Sequence, residues 1–219
     1  MPLPQAVRRL APDRLRYSVR LRALAVGSGL VPPRSMHSPA ESQLLAELAR
    51  DRRTAVEIGV YEGSSAVVLA GALPAAATLH LIDPFGESPT LLPGWAGVEG
   101  ATRRVLARAV RARRDGGPNL VWHVERSEDA AAHWGAVPVD LVFIDGDHSE
   151  AGCRADWELW SPFVAPGGVV IFHDAVGESA LPGPRAVFAD LFGAGDPPGG
   201  WRIQARADSA VAVQRAAGA

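Results

Sequence analysis

Apolar positions along this chain follow two alternating patterns. Short runs dense in β-branched and aromatic residues, at Thr54–Ile58, Thr78–Asp83, Asn119–Val124, Val139–Asp145 and Gly168–His173, predict strands. Between them, apolar residues spaced three and four apart predict helices over Ser64–Leu73, Ala101–Arg114, Ser127–Trp134 and Glu150–Trp160. Leu141-Val142-Phe143-Ile144 and Val169-Val170-Ile171-Phe172 are apolar on both faces, as in a parallel sheet covered by helices on each side. Ahead of the first strand, Ser38 at the N-cap, Pro39 at the first helical position and Glu41 at the third form a capping box. Leu44, Leu45 and Leu48 give that helix a buried stripe. After the fifth strand, Arg185–Phe192 predicts a last helix. Trp201–Arg206 and Ser209–Gln214, parted only by Ala207-Asp208, predict an antiparallel hairpin at the sheet edge. The sum is an α/β fold, a seven-stranded, mostly parallel sheet with a C-terminal antiparallel hairpin and helices on both faces. Gly86–Gly100 is too long for a simple connection and is expected to form a functional lip.

The N-terminal stretch reads differently. Tyr17, Leu21 and Leu24 fall at helical spacing with Arg14, Arg16, Arg20 and Arg22 largely on the other face; Gly27 and Gly29 stop the helix and Pro32-Pro33 stiffens the connection to the next one. Residues 1–35 carry seven Arg against one Asp, and the remainder 15 against 23 acids. This divides the chain into a basic arm or lid, 1–35, and a main domain, 36–219. The arm is expected to dock on its own domain or on a second copy in a homodimer, in preference to serving as a transit peptide. A substrate lid and a surface for an acidic partner are the sharper readings.

Bulk composition narrows the classes. At 219 residues, 47% hydrophobic and 21% charged, the chain is an ordinary globular protein whose net charge of −2 gives no argument for nucleic acid. A single cysteine, Cys153, excludes an intrachain disulfide framework. No apolar segment approaches the roughly 18–20 residues of a membrane span, so a cytoplasmic location is expected. All 22 basic residues are arginine, which removes any lysine base or Schiff base.

Candidate chemistry gathers at predicted strand ends. Ala55–Ser65 turns from strand to helix through Gly59-x-x-x-Gly63, a turn that brings backbone N–H groups to a ligand but lacks the spacing of a dinucleotide fingerprint. Asp83 ends the second strand about 20 residues later, where an acid hydrogen-bonds ribose hydroxyls or simply caps the strand before Pro84. Ser127, Glu128 and Asp129 favour a helix start, and Ser127 and Glu128 are also placed to flank a base. The densest cluster is Asp145-Gly146-Asp147-His148, followed by His173-Asp174 on the next strand. Neighbouring parallel strands lie about 4.8 Å apart, so Asp145 and Asp174 can converge on one cation, or serve only as turn formers. Two carboxylates with waters suit Mg²⁺, and an added imidazole suits Mn²⁺, Fe²⁺ or Zn²⁺.

With these motifs in view, the sequence resembles the class I S-adenosylmethionine-dependent methyltransferases, particularly small-molecule O-methyltransferases, and the sheet is expected to be Rossmann-like. Glu57–Ser65 is similar to the first motif of the catechol and caffeoyl-CoA group. Phe143–Ser149 with Gly167–Asp174 is more similar to a bacterial subfamily with an IDGDHSY run and a fifth strand ending in HD. The resemblance spans roughly residues 36–215. It implies S-adenosylmethionine bound by Glu57, Gly59, Tyr61, Gly63, Ser65, Asp83, Ser127, Glu128 and Asp145, with Met36 also lining it. It implies metal ligation by Asp145, His173 and Asp174. The catechol-type lysine base is replaced here by His148, and histidine stands at 173 where relatives have an acid.

The expected reaction is in-line methyl transfer to a small-molecule hydroxyl, with His148 neutral and accepting the proton. Catalytic roles thus fall to Asp145, His148 and His173. Trp95, Trp157 and Trp160 are candidates for an apolar wall, although core packing is the simpler reading for the last two. A lysine-free, GC-rich type of gene fits bacterial secondary metabolism. The rivals are a metal-free methyltransferase with His173 or His148 as base, a nicotinamide-dependent oxidoreductase, a non-catalytic nucleotide-binding module, and a nucleic-acid methyltransferase, for which no aromatic-basic platform is present.

Overall fold

The computed structural model describes residues 18–87, 96–135, 137–193, 197 and 199–217. Most of the expected arm, with Tyr17, and part of the expected lip, with Trp95, lie outside the described residues.

In chain order the elements are α1 (Val19–Ser28), α2 (Pro39–Ala49), β1 (Thr54–Ile58), α3 (Ser64–Ala72), β2 (Thr78–Ile82), β3 (Gly86–Glu87), β4 (Ala96–Gly97), α4 (Glu99–Arg111), β5 (Asn119–His123), α5 (Ser127–Ala132), β6 (Val139–Ile144), α6 (Glu150–Trp160), β7 (Val164–Phe172), α7 (Pro182–Phe192), β8 (Trp201–Ala207) and β9 (Ala210–Arg215). The main sheet runs β5-β2-β1-β6-β7-β9-β8. Its first five strands are parallel, and β9 runs antiparallel between β7 and β8. The seven-stranded sheet and its closing hairpin are as the sequence predicts. Two local expectations change. β7 begins at Val164 rather than Gly168, because Val164 already pairs with Val139 before an irregularity at Pro166-Gly167. Gly86–Gly100 is not loop throughout, since Gly86 and Glu87 pair with Gly97 and Ala96; strands of two residues carry no readable period.

Both faces of the sheet are covered. On one, Leu79, Leu81, Leu141, Phe143 and Ile171 pack with Leu45, Leu69, Leu73 and Leu106 from α2, α3, the turn after it and α4. On the other, Val142, Ile144, Val170 and Phe172 pack with Trp157, Trp160, Phe188 and Phe192 from α6 and α7. Trp157 and Trp160 are therefore core residues, and Trp157 meets Trp201 and Phe192 edge-on. Continuous apolar strands buried on both faces force this layering.

The helix α1 docks on its own domain, but not through the expected stripe. Leu21 and Leu24 are exposed, while Val26 and Gly27 are buried. A Cβ at Gly27 would lie 3.4 Å from the Ala101 Cα, so small residues let α1 approach α4 closely. Arg108 then donates to the carbonyls of Gly27 and Val26.

Candidate active site

Four central strands end on an apolar residue, and the next residue carries the chemistry. Ile58 is followed by Gly59, Ile82 by Asp83, Ile144 by Asp145 and Phe172 by His173. The register aligns Ile58 with Ile82 and Ile144, and Ile144 with Phe172. Backbone bonds extend the ladder one step: Gly59 N donates to Ile82 O, Asp145 N to Ile58 O and His173 N to Ile144 O, at 2.9, 2.9 and 3.1 Å. The carboxyl edge of a parallel sheet is where such folds bind ligands. Here it opens into a cavity of about 440 Å³, within the usual range for a cofactor site.

One wall is the glycine turn. Gly59 has φ +87°, and a Cβ there would stand 2.1 Å from the Asp145 carbonyl oxygen, so no other residue fits. Asp83 shapes the turn from β2: its Oδ2 accepts from Val60 N and Tyr61 N at 2.8 and 2.7 Å, and its Oδ1 from Phe85 N at 2.6 Å. Thr102 Oγ1 donates to the Tyr61 carbonyl at 2.7 Å. From the arm side, Arg22 Nη2 lies 2.7 Å from Glu62 Oε2 and Arg34 N donates to the same oxygen at 2.6 Å. The turn is thus held from three directions before any ligand arrives.

Of the residues expected around a cofactor, Met36, Gly59, Tyr61, Ser65, Asp83, Ser127, Glu128 and Asp145 line the cavity. Glu57 and Gly63 do not. Glu57 is fully buried and accepts from the Ser65 hydroxyl, and burial pushes its carboxyl well up; it holds Ser65 from behind the wall. A Cβ at Gly63 would come within 2.7 Å of Leu106 Cδ2, so that glycine serves packing on α4. Ser127 is not a helix cap either. Arg126 occupies that position, and the Ser127 hydroxyl donates to Asp156 Oδ1.

The opposite wall is the acid–imidazole cluster. Asp145, His148, His173 and Asp174 each offer a ligand atom, all within 4.8 Å of one another. His173 Nδ1 is 2.9 Å from Asp145 Oδ1; His148 Nε2 is 3.4 Å from Asp145 Oδ1 and 3.3 Å from Asp174 Oδ2. Asp174 reaches in from a left-handed backbone, φ +53°, a conformation that costs on the order of 1–3 kcal/mol and clusters at functional sites. Hydrogen bonds to Asp145 and Asp174 raise His148 to about 9. Burial opposes charge on His173, but Asp145 and Asp174 outweigh it and raise that ring too. Both flanking carboxylates thus favour the imidazolium of His148 over the neutral ring expected from its unperturbed pKa. His173 is 3% exposed and sits behind Asp145 rather than on the cavity surface, which removes it as a base in contact with an acceptor.

Three further residues were not visible in the sequence patterns. His37 lines the cavity, and burial lowers its pKa. The Ser42 hydroxyl spends its hydrogen on Ser38 O at 2.9 Å, so the 2.8 Å contact between Ser42 Oγ and His37 Nδ1 makes Nδ1 the donor. That leaves His37 Nε2 as an acceptor, buried and unpartnered. Glu41, buried beyond its capping role, accepts from Ser209 N and Oγ and stands 3.5 Å from His173 Nε2. Asp156 is buried in the cavity wall. An isolated His37 gives no period to detect. Asp156 did leave a signal: it shares the inward stripe of α6 with Cys153, Trp157 and Trp160, and an acid in an apolar stripe marks a candidate site.

A family pattern described as a methyltransferase domain matches residues 56–175. The chain belongs to this methyltransferase family. The match starts in β1 and ends just past Asp174, so it takes in the glycine turn, Asp83, Ser127-Glu128 and the acid–imidazole cluster. Solved structures agree on the fold. The O-methyltransferase TomG from Streptomyces achromogenes, involved in tomaymycin synthesis and solved with S-adenosylmethionine, is 20% identical over 91% of this chain and 90% of its own, with a TM-score of 0.59. An O-methyltransferase from Bacillus cereus in complex with SAH is 17% identical over 96% of each chain, TM-score 0.57. A methyltransferase from Geobacter sulfurreducens is 16% identical over 97% of this chain and 94% of its own, TM-score 0.57. This methyltransferase therefore has the class I S-adenosylmethionine-dependent fold. No helix among the described residues is long and apolar enough to cross a membrane.

Proposed function

We propose that this methyltransferase transfers the methyl group of S-adenosylmethionine to a hydroxyl oxygen of a small molecule. The observation that carries the reading is that one cavity is lined by Gly59, Tyr61 and Asp83 on one side and by Asp145, His148 and Asp174 on the other. The acceptor oxygen attacks the methyl carbon in line as the carbon–sulfur bond breaks, and the products are the methyl ether, S-adenosylhomocysteine and a proton. Asp145 and Asp174 face that oxygen as acceptors for its hydrogen, His148 orients them, and the fixed geometry supplies the main rate gain. Tomaymycin synthesis, the setting of TomG, supports bacterial secondary metabolism as the context.

The cluster also fits a divalent cation. Its donors are two carboxylates and two imidazoles, and His173 Nε2 is buried with no hydrogen-bond partner. Asp145, His148, His173 and Asp174 would hold the ion, which when bound lowers the pKa of a coordinated hydroxyl. A metal-independent enzyme is the second reading. It is favoured by the contacts of His148 Nε2 with Asp145 Oδ1 and Asp174 Oδ2, at 3.4 and 3.3 Å, which pair both carboxylates with an imidazole.

Incubation with methyl-labelled S-adenosylmethionine and a panel of catechols, phenols and aliphatic alcohols, with Mg²⁺ or with EDTA, tests both. Label is expected on oxygen in at least one acceptor. Transfer only to amine or carbon acceptors would contradict the hydroxyl assignment, and full activity in EDTA would select the metal-independent form.

A further inference from the structure

Glu41 does more than cap α2. A capping box takes one carboxylate oxygen from the third helical residue, and Oε2 supplies it by accepting from Ser38 N at 2.7 Å. Glutamate is almost never fully buried unless paired, yet Glu41 is 3% exposed and does not line the cavity. Its other oxygen turns into the protein. Oε1 accepts from Ser209 N and Ser209 Oγ, at 2.9 and 2.6 Å, across 168 residues of chain.

Both oxygens lead to the acid–imidazole cluster. Oε2 also stands 3.5 Å from His173 Nε2, and the far side of that ring, Nδ1, is 2.9 Å from Asp145 Oδ1. Ser209 Oγ lies 3.1 Å from Asp174 Oδ1, and Ser209 O accepts from Ala175 N and Val176 N at 2.9 and 3.1 Å. Those bonds clamp the chain just past Asp174, whose left-handed backbone persists only where its surroundings fix it. One buried carboxylate thus backs Asp145 through an imidazole and Asp174 through a serine. A capping glutamine would serve the helix as well, but its NH₂ would face an N–H at Ser38 or at Ser209, donor against donor.

We infer that Glu41 is a positioning residue for methyl transfer, fixing the two carboxylates that face the acceptor oxygen: Asp145 through His173 and Asp174 through Ser209. The inference rests on the reading of this cluster as the acceptor end of the cavity. Misplacing a reacting group by about 1 Å costs on the order of 10²-fold in rate. A loosened anchor therefore shows in kcat rather than in the binding of acceptor or cofactor.

Three variants separate that role from capping. Each is assayed with methyl-labelled S-adenosylmethionine on whichever catechol, phenol or aliphatic alcohol the wild type methylates fastest, and each is titrated with S-adenosylhomocysteine. Glu41→Gln is expected to lose kcat on the order of 10-fold or more, with the acceptor KM and the S-adenosylhomocysteine affinity unchanged. Ser209→Ala keeps its backbone bond to Glu41 and loses the hydroxyl, so its kcat falls by less. Ser38→Ala breaks the cap but leaves the Ser38 N–H on Glu41; it lowers Tm by roughly 2–4 °C and keeps wild-type kcat. Wild-type kcat in Glu41→Gln overturns the inference, as does an equal loss in Ser38→Ala, which would trace the effect to the cap. If Glu41→Gln does not fold, Ser209→Ala decides: a lowered kcat supports the inference and wild-type kcat overturns it. A wild type that methylates none of the acceptors overturns the hydroxyl-transfer reading itself, and the inference with it.

Discussion

His173 Nδ1 stands 2.9 Å from Asp145 Oδ1, joining the residue after β7 to the residue after β6. The contact is set by register. Ile144 pairs with Phe172, so the next residue on each strand emerges on the same edge, and a one-residue slip would turn one side chain to the opposite face. The acid–imidazole cluster is therefore a consequence of how two buried strands pair.

Asp145→Ala removes the carboxylate that His148 and His173 share and leaves a charged imidazole buried. Methyl transfer should fall on the order of 10²-fold or more, with unchanged far-UV circular dichroism. Acceptor-dependent formation of S-adenosylhomocysteine measures it; activity within a few-fold of wild type would remove Asp145 from the mechanism.

Gly59→Ala forces a Cβ into the Asp145 carbonyl from a backbone with φ +87°. Strain and overpacking together should cost about 3 kcal/mol. In a protein of this size that lowers Tm by roughly 6–12 °C, as thermal unfolding would show.

Glu62→Ala removes the acid on which Arg22 and Arg34 converge. Hydrogen exchange of the α1 amides should accelerate. Unchanged exchange would mean that the Arg108 bonds to Gly27 and Val26 hold α1 alone.

The cofactor-free protein should show a pH signature of Asp156. Burial raises its carboxyl to about 7, above the usual value of about 3.9 in an unfolded chain. The folded state thus holds the extra proton between those values, and its stabilising contribution is full below the unfolded pKa and lost as pH rises through the folded one. Thermal unfolding from pH 4 to pH 8 should show Asp156→Asn gaining Tm relative to wild type as pH increases; a constant difference would contradict the raised pKa.

The sheet was legible because its strands are apolar on both faces and its turns carry glycine. Gly59, Asp83, Asp145 and Asp174 were legible because chemistry falls just past each strand. His37 and the tertiary contacts of Glu41 were not: an isolated histidine gives no period, and Glu41 meets Ser209 across the fold, whereas Asp156 showed only as an acid in the apolar stripe of α6. The charge on His148 was also out of reach, because a pKa depends on which carboxylates the fold brings within 3.4 Å. Leu21 and Leu24 misled for a related reason: spacing marks a stripe, but α1 buries its small residues against α4.

The most direct measurement is calorimetric titration of the whole protein with S-adenosylhomocysteine, alongside NAD⁺. Saturable one-to-one binding of S-adenosylhomocysteine, with none of NAD⁺, is the expected result. Absence of saturable S-adenosylhomocysteine binding at millimolar concentration, or tight binding of NAD⁺ instead, would contradict the assignment of this cavity to S-adenosylmethionine.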